Sequence, residues 1–201
     1  MPEHSFQPFE AEIARRGYAA VCGVDEVGRG PLAGDVYAAA VILPEGWIPP
    51  GLNDSKQLTE KRRDALFESI TAGAVAYRVA SANLEEIARL NILGAALLAM
   101  RRAVEGLPSP AAFALVDGNR APPLAIPCQT VVKGDALCAS IAAASVLAKV
   151  SRDRTMLELD ALYPQYGFAR HKGYGTKAHY IALKEYGASP VHRLGFNLTK
   201  E

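Results

Sequence analysis

Cysteine is scarce in this chain of 201 residues: there are three, Cys22, Cys128 and Cys138, and no two form a Cys-x-x-Cys pair. That argues against a disulfide framework and predicts reduced, buried thiols, as in a cytosolic protein. Net charge is nearly absent at +1, which excludes the global basic field of a histone-like binder. The longest nearly apolar run, Ala136 to Ala148, is too short to cross a bilayer. The first residues include Glu3, Glu10, Glu12, Arg15 and Arg16, so no signal-peptide core is read there. Internal repeats, low-complexity tracts and linkers are missing too. One α/β domain over 1–201, cytoplasmic, monomeric, away from membranes and without an obligate protein partner, is the economical expectation.

What is present is apolar content and unevenly placed charge. Half of the residues are hydrophobic, enough for a substantial core. Residues 149–201 hold nine Lys or Arg against five Asp or Glu, and 165–184 contain Arg170, Lys172, Lys177 and Lys184 with no acid. Such a patch suits a polyanion, although a plain solvated surface accounts for it as well.

The apolar pattern predicts a mixed order of strands and helices. A short helix is expected over 6–17 and strands over 19–24 and 35–43, with a Pro- and Gly-rich loop at 44–53. Thr59 is placed to cap a helix running to about residue 72. A strand over 74–81 and a helix over 84–106, broken near Asn91, come next. Strands over 111–116 and 125–132 precede a long Ala-rich helix at 136–161, opened by Asp135. A Tyr- and Gly-rich loop at 163–175 and a helix at 176–186 follow.

One stretch carries most of the chemistry: Asp25 and Glu26 end an apolar run, and Gly28-Arg29-Gly30-Pro31 follows at once. Adjacent carboxylates repel and gain nothing from burial unless a cation lies between them, and a hard ion such as Mg²⁺ or Mn²⁺ is the usual solution. The loop offers backbone N–H groups and a guanidinium to an anion. It lacks the Walker lysine, and its glycines are misspaced for a dinucleotide fingerprint, with a strand rather than a helix behind them. Asp117 ends a second apolar run, and Asp135 follows Lys133-Gly134. Four acids from three segments can therefore meet at one sheet edge, as two-metal hydrolysis requires. Taken singly, Asp135 is as good a helix cap, and Asp117-Gly118-Asn119 as good a turn. His171, His179 and His192 lack zinc-like spacing and are expected at phosphate or surface. Asp153 is expected either to pair with Arg152 or Arg154 or to support the site from behind the acids, with a structural role preferred.

With these residues assembled, the chain resembles ribonuclease HII, the type 2 ribonuclease H of bacteria, from Val21 to about Phe196. The run from Gly23 to Gly34 matches the family's opening motif. Asn53-Asp54-Ser55-Lys56-Gln57-Leu58, Val116-Asp117-Gly118, Lys133-Gly134-Asp135, the helix from Ser140 to Asp153, His171 to Thr176, and His192-Arg193 follow in family order. Gly195 departs from the pattern, which has a serine there, and removes a hydroxyl. The resemblance implies an RNase H-like fold: a mixed five-stranded sheet flanked by helices, with a helical C-terminal part at about 163–201. It also implies a metal-dependent endoribonuclease, using Mg²⁺ or Mn²⁺, that cuts RNA in RNA–DNA hybrids. Ribonucleotides embedded in duplex DNA would be cut on their 5′ side, leaving 3′-hydroxyl and 5′-phosphate ends.

Asp25, Glu26, Asp117 and Asp135 fall on the family's catalytic, metal-holding carboxylates. Gly28, Arg29 and Gly30 fall on the loop that grips the ribonucleotide, and Tyr174 on the tyrosine at the RNA-to-DNA junction. The physics agrees, since glycines let a backbone approach a ribose closely enough to bond its 2′-hydroxyl. Arg29 is expected at a phosphate or on a site carboxylate, and Lys56 at backbone phosphate or in solvent. A junction resolvase would need no 2′-hydroxyl reader. A non-catalytic nucleic-acid binder would have no use for four acids facing phosphates.

Overall fold

The computed structural model describes residues 6–199; residues 1–5 and 200–201, which the one-domain expectation includes, lie outside them. In chain order the elements are α1 (Phe9–Arg15), β1 (Val21–Val27), β2 (Val36–Ile42), α2 (Glu60–Gly73), β3 (Ala76–Ala82) and α3 (Leu84–Glu105). Then follow β4 (Phe113–Asp117), β5 (Cys128–Val131), α4 (Gly134–Leu137), α5 (Ala139–Leu162), α6 (Phe168–His171) and α7 (Lys177–Tyr186). The strands form one five-stranded sheet in the order β3-β2-β1-β4-β5. The β1–β2 and β2–β3 pairs are antiparallel, whereas β1–β4 and β4–β5 are parallel.

Helices cover both faces. Cys22 and Val24 of β1, with Ala38 and Ala40 of β2, pack with Ala95, Ala99 and Ala103 of α3. Ala39 and Val41 pack on the other face with Ala143, Val146 and Val150 of α5 and with Ile70 of α2. Successive residues of a strand point to opposite faces, which is why β1 serves two cores. Gly23 lies on the α5 side. A Cβ there would stand 2.1 Å from the carbonyl carbon of Ser140, so helix and strand meet backbone to backbone.

Several local expectations hold. Thr59 Oγ1 accepts the Arg62 N–H and caps α2. Asn83 and Glu86 form a reciprocal cap on α3. That helix breaks at Asn91 (φ 55°), whose Oδ1 accepts the N–H groups of Leu93 and Gly94 and restarts the turn.

Other boundaries move, each for a visible reason. β1 does not stop at residue 24. Its pairing with β4 ends at Val24, but β2 continues alongside, opposite Asp25 and Glu26. β5 is shorter than expected; Pro127, just before it, has no N–H to extend the ladder. The long helix starts at Ala139, not 136, because Lys133 adopts a left-handed conformation (φ 58°) and Cys138 an extended one, leaving Asp135 inside the separate short helix α4. Glu10 of α1 takes over the capping of α5, accepting the Ser140 N–H at 2.8 Å. The C-terminal part is helical only to Tyr186, and 187–199 holds no helix. Cys22 and Cys138 are buried as expected, whereas Cys128, on the edge strand, is exposed.

The closeness of Gly23 to α5 is testable. Gly23→Ala should lower the unfolding free energy by about 1–3 kcal/mol, the usual cost of forcing a methyl into a packed core. A urea melt measures this, and an unchanged midpoint would contradict the contact.

Candidate active site

The parallel strands β1 and β4 end on the same sheet edge, which sets Asp25 and Asp117 beside each other one residue past the Val24–Val116 pair. Alternation sends Asp25 toward α5 and Glu26 toward α3. Asp25 is buried; its Oδ1 accepts the Glu26 N–H at 2.7 Å, and the nearby Ser145 hydroxyl of α5 favours its charged form. Ser145 is itself held by Ser55 at 2.7 Å. Glu26 and Asp117 line a cleft with Arg29, Asn119 and Arg120. Asp117 Oδ1 accepts the Gly134 N–H at 2.7 Å, so the turn made by left-handed Lys133 fixes both Asp117 and the neighbouring Asp135.

The electrostatics are those of crowded acids. Burial, then the charges of Glu26 and Asp117, hold Asp25 well above the usual carboxylate range. Burial raises Glu26, with Arg29 working against it. Burial and Asp135 raise Asp117, with the Gly134 N–H working against them. The protein's own cations answer part of this charge. Lys56 Nζ donates to Asp135 Oδ2 at 2.7 Å, and Arg29 stands 3.4 Å from Glu26 Oε1. Both are surface side chains, with 76% of Lys56 and 50% of Arg29 exposed, so neither is locked in place. All four acids offer hard oxygen donors with no His or Cys among them, which fits a cation such as Mg²⁺ or Mn²⁺ rather than zinc. Among the described residues no three His, Cys, Asp or Glu are gathered tightly enough to enclose an ion as they stand. A bound ion would have to draw them together and displace Lys56 and Arg29.

Beside the acids lies the loop from Gly28 to Gly34. Gly28 (φ 95°) could not be another residue: a Cβ would meet Arg152 Nε at 2.4 Å. Gly30 faces Tyr174, whose Cε1 would be 3.4 Å from a Cβ at that position. Tyr174 is 44% exposed, so its ring is available at the surface next to the loop. Asp25, Glu26, Asp117, Asp135, Lys56, Gly28, Arg29, Gly30 and Tyr174 thus belong to one neighbourhood.

The model of the family described as ribonuclease HII matches residues 22–199. The chain belongs to the ribonuclease HII family. It is 62% identical to the ribonuclease HII of Caulobacter vibrioides (strain NA1000 / CB15N) over 180 residues, 90% of this chain and 85% of that one. The ribonuclease H2 from Pyrococcus horikoshii OT3 superposes with a TM-score of 0.74 at 26% identity, covering 89% of this chain and 94% of that one. Bst-RNase HIII in complex with Mn²⁺ superposes at 0.62 with 18% identity, covering 96% and 72%; at that identity the likeness is one of fold. The fold is accordingly RNase H-like, and family membership makes the chain a hydrolytic endoribonuclease.

Against that family background, several residues stand elsewhere than expected. Asp153 pairs with neither arginine; it accepts from Lys149, one turn back on α5, at 2.6 Å. Two of the three histidines expected at phosphate or surface lie away from the surface, and His171 is half-buried. His179 and His192 are buried, His171 stacks on His179 with centroids 4.5 Å apart, and the His179 and His192 Nε2 atoms lie 3.0 Å apart. The most consequential residues missed are Arg152 and Arg193, both buried and, among the described residues, neither in contact with a carboxylate. Arg193 donates to the carbonyls of Gly28, Arg29, Pro31, Gly34 and Asp35, and Arg152 to those of Ala33, Asp35 and Lys172. Arg152 left a trace in the sequence, since it shares a helical stripe with the buried Ala148 and Met156. Arg193, on an irregular segment, shows in the sequence only as part of the His192-Arg193 match.

The raised carboxylates have a consequence for stability. Each folded-state value lies above its unfolded one, so the stabilisation is complete below about pH 4 and is lost as pH rises through the raised values. In a chelator, Asp25→Asn should therefore raise the thermal midpoint over wild type at pH 8 and change it little near pH 4. Equal shifts at both pH values would contradict the crowding.

Proposed function

We propose that the chain is a metal-dependent endoribonuclease that cuts RNA in RNA–DNA hybrids and nicks duplex DNA on the 5′ side of an embedded ribonucleotide, leaving 3′-hydroxyl and 5′-phosphate ends. One observation carries this reading: crowded, only partly neutralised carboxylates share a sheet edge with a glycine loop whose neighbour is an exposed tyrosine ring. Acids of that kind call for divalent cations, and such a loop suits a ribose. We assign Asp25, Glu26, Asp117 and Asp135 as catalytic residues that hold Mg²⁺ or Mn²⁺.

Bound ions would supply charge neutralisation at the phosphate and acidity to the attacking water. The chain's own groups do the rest. The Glu26 N–H fixes Asp25, and the Gly134 N–H fixes Asp117. Lys56 and Arg29, which now offset Asp135 and Glu26, become free to meet the phosphates flanking the scissile bond. Gly28 and Gly30 let the backbone of the Gly28-Arg29-Gly30 segment approach the ribose, where its N–H groups and the Gly30 C=O, which Arg193 does not use, can bond the 2′-hydroxyl. Tyr174 presents its ring to the next sugar, where an extra hydroxyl would be crowded. The exposed Arg170, Lys177 and Lys184, near Tyr174 in sequence, offer charges to the phosphates of a duplex. One domain, working as a cytoplasmic monomer, suffices for this scheme. No described helix is long and apolar enough to cross a membrane.

A DNA duplex with one ribonucleotide should be nicked 5′ to it in Mg²⁺ or Mn²⁺, and an all-DNA duplex left intact. Asp25→Asn should lower the rate by more than about a hundredfold while leaving binding largely unchanged. Equal cleavage of both duplexes by wild type would refute the substrate assignment. Full activity of Asp25→Asn would refute the site.

A further inference from the structure

The residues at 192 and 193 are neighbours in sequence and reach opposite halves of the site. Arg193 is 1% exposed, and all five of its N–H groups are used: Nε to Gly34 O, one terminal nitrogen to Arg29 O and Pro31 O, the other to Gly28 O and Asp35 O. These are carbonyls of the loop itself, so the guanidinium acts as a template for the loop's curvature. Its own N–H donates to Leu32 O, and Gly34 N–H donates to Val191 O, which docks residues 191–193 along 32–34.

His192 reaches the other way. Its Nδ1 accepts the Ser189 N–H at 2.9 Å, so in the neutral ring the proton sits on Nε2. That proton is donated to His179 Nε2 at 3.0 Å. The second ring must then carry its proton on Nδ1, which donates to the Tyr174 carbonyl at 3.0 Å. The direction of all three bonds is thus forced. Burial supports the neutral forms, lowering both histidines, His179 to about 4. The two halves are also tied directly, through the Leu32 N–H on Gly173 O and Arg152 on Lys172 O.

We propose that the His192-Arg193 pair is the positioning element of the ribonucleotide reader, Arg193 shaping the Gly28-Arg29-Gly30 loop and His192 placing Tyr174 through His179, so that the two halves act as one surface. The proposal rests on the function proposed above, and it gives this buried pair of C-terminal residues a role in specificity rather than in chemistry.

Two substitutions at 192 separate positioning from mere packing. In His192→Gln, the amide nitrogen can replace Nε2 and keep the bond to His179. In His192→Asn, the amide can replace Nδ1 but cannot reach His179. With the full chain, His192→Asn should lower kcat/KM on the single-ribonucleotide duplex about tenfold, one lost buried hydrogen bond, and His192→Gln less than threefold. In a Tyr174→Ala background His192→Asn should cost less than about twofold more, because both changes act through the same ring. Multiplying losses, or equal losses from Asn and Gln, would overturn the proposal. Amide hydrogen exchange gives a readout independent of substrate. Residues 173–176 should exchange faster in His192→Asn than in wild type or His192→Gln, and residues 28–34 faster in Arg193→Lys. Exchange unchanged at both segments would overturn the coupling even if ribonucleotide cleavage is confirmed. Wild-type indifference to the ribonucleotide would instead sink the functional reading, while exchange still decides the coupling.

Discussion

A guanidinium shut away from water needs an acceptor for every N–H, and in this molecule the acceptors are the carbonyls of one loop. Burying an ion costs several kcal/mol, and among the described residues Arg193 has no carboxylate in contact to offset it. Five charge-assisted bonds, at about 1.5–3 kcal/mol each, are enough to compensate. The loop can provide them only by bending its carbonyls inward from Gly28 to Asp35. That bend leaves Gly28 at a positive φ, against Arg152, where no side chain fits. The glycines are required as much by the arginines beneath them as by any ribose above.

The acids obey a second constraint. β1 is the strand where the sheet changes from parallel to antiparallel pairing, and β4 leaves it at Val24 while β2 continues. Asp25 and Glu26 therefore sit on a strand supported from one side, one turned to α5 and the other to α3. The doublet is not a pair of parallel carboxylates; it grips the sheet edge from two faces. Asp117 completes one face and Asp135 reaches in from the turn after β5. Lys56 and Arg29 moderate the repulsion from exposed positions that they can leave.

Much of this was legible in the sequence, in proportion to how local the causes are. Alternating apolar runs located the strands, Thr59 the start of α2, and Asn91 the break in α3, because each acts within a few residues. The acids and the glycine loop stood out as a charge pattern without a local remedy. What stayed hidden depends on contacts distant in sequence. The true cap of α5 is Glu10, from the other end of the chain. The length of β1 depends on β2. The histidines and Arg193 carry charge-capable groups on an irregular segment or beside a basic loop, and nothing local distinguishes a buried, fully bonded side chain from a solvated one. Asp153 has arginines on both sides in sequence, yet helical geometry gives it to Lys149.

The central claim is that the loop is formed before any substrate arrives, held from below by Arg193. A crystal structure of the chain bound to a duplex with one ribonucleotide, with Ca²⁺ present to slow cleavage, tests this most directly. The account predicts that the 28–35 backbone keeps its free conformation, with the 2′-hydroxyl bonded to the Gly28–Gly30 backbone and the Tyr174 ring against the next sugar. A loop that rebuilds itself around the ribose, or a 2′-hydroxyl turned away from it, would contradict the account.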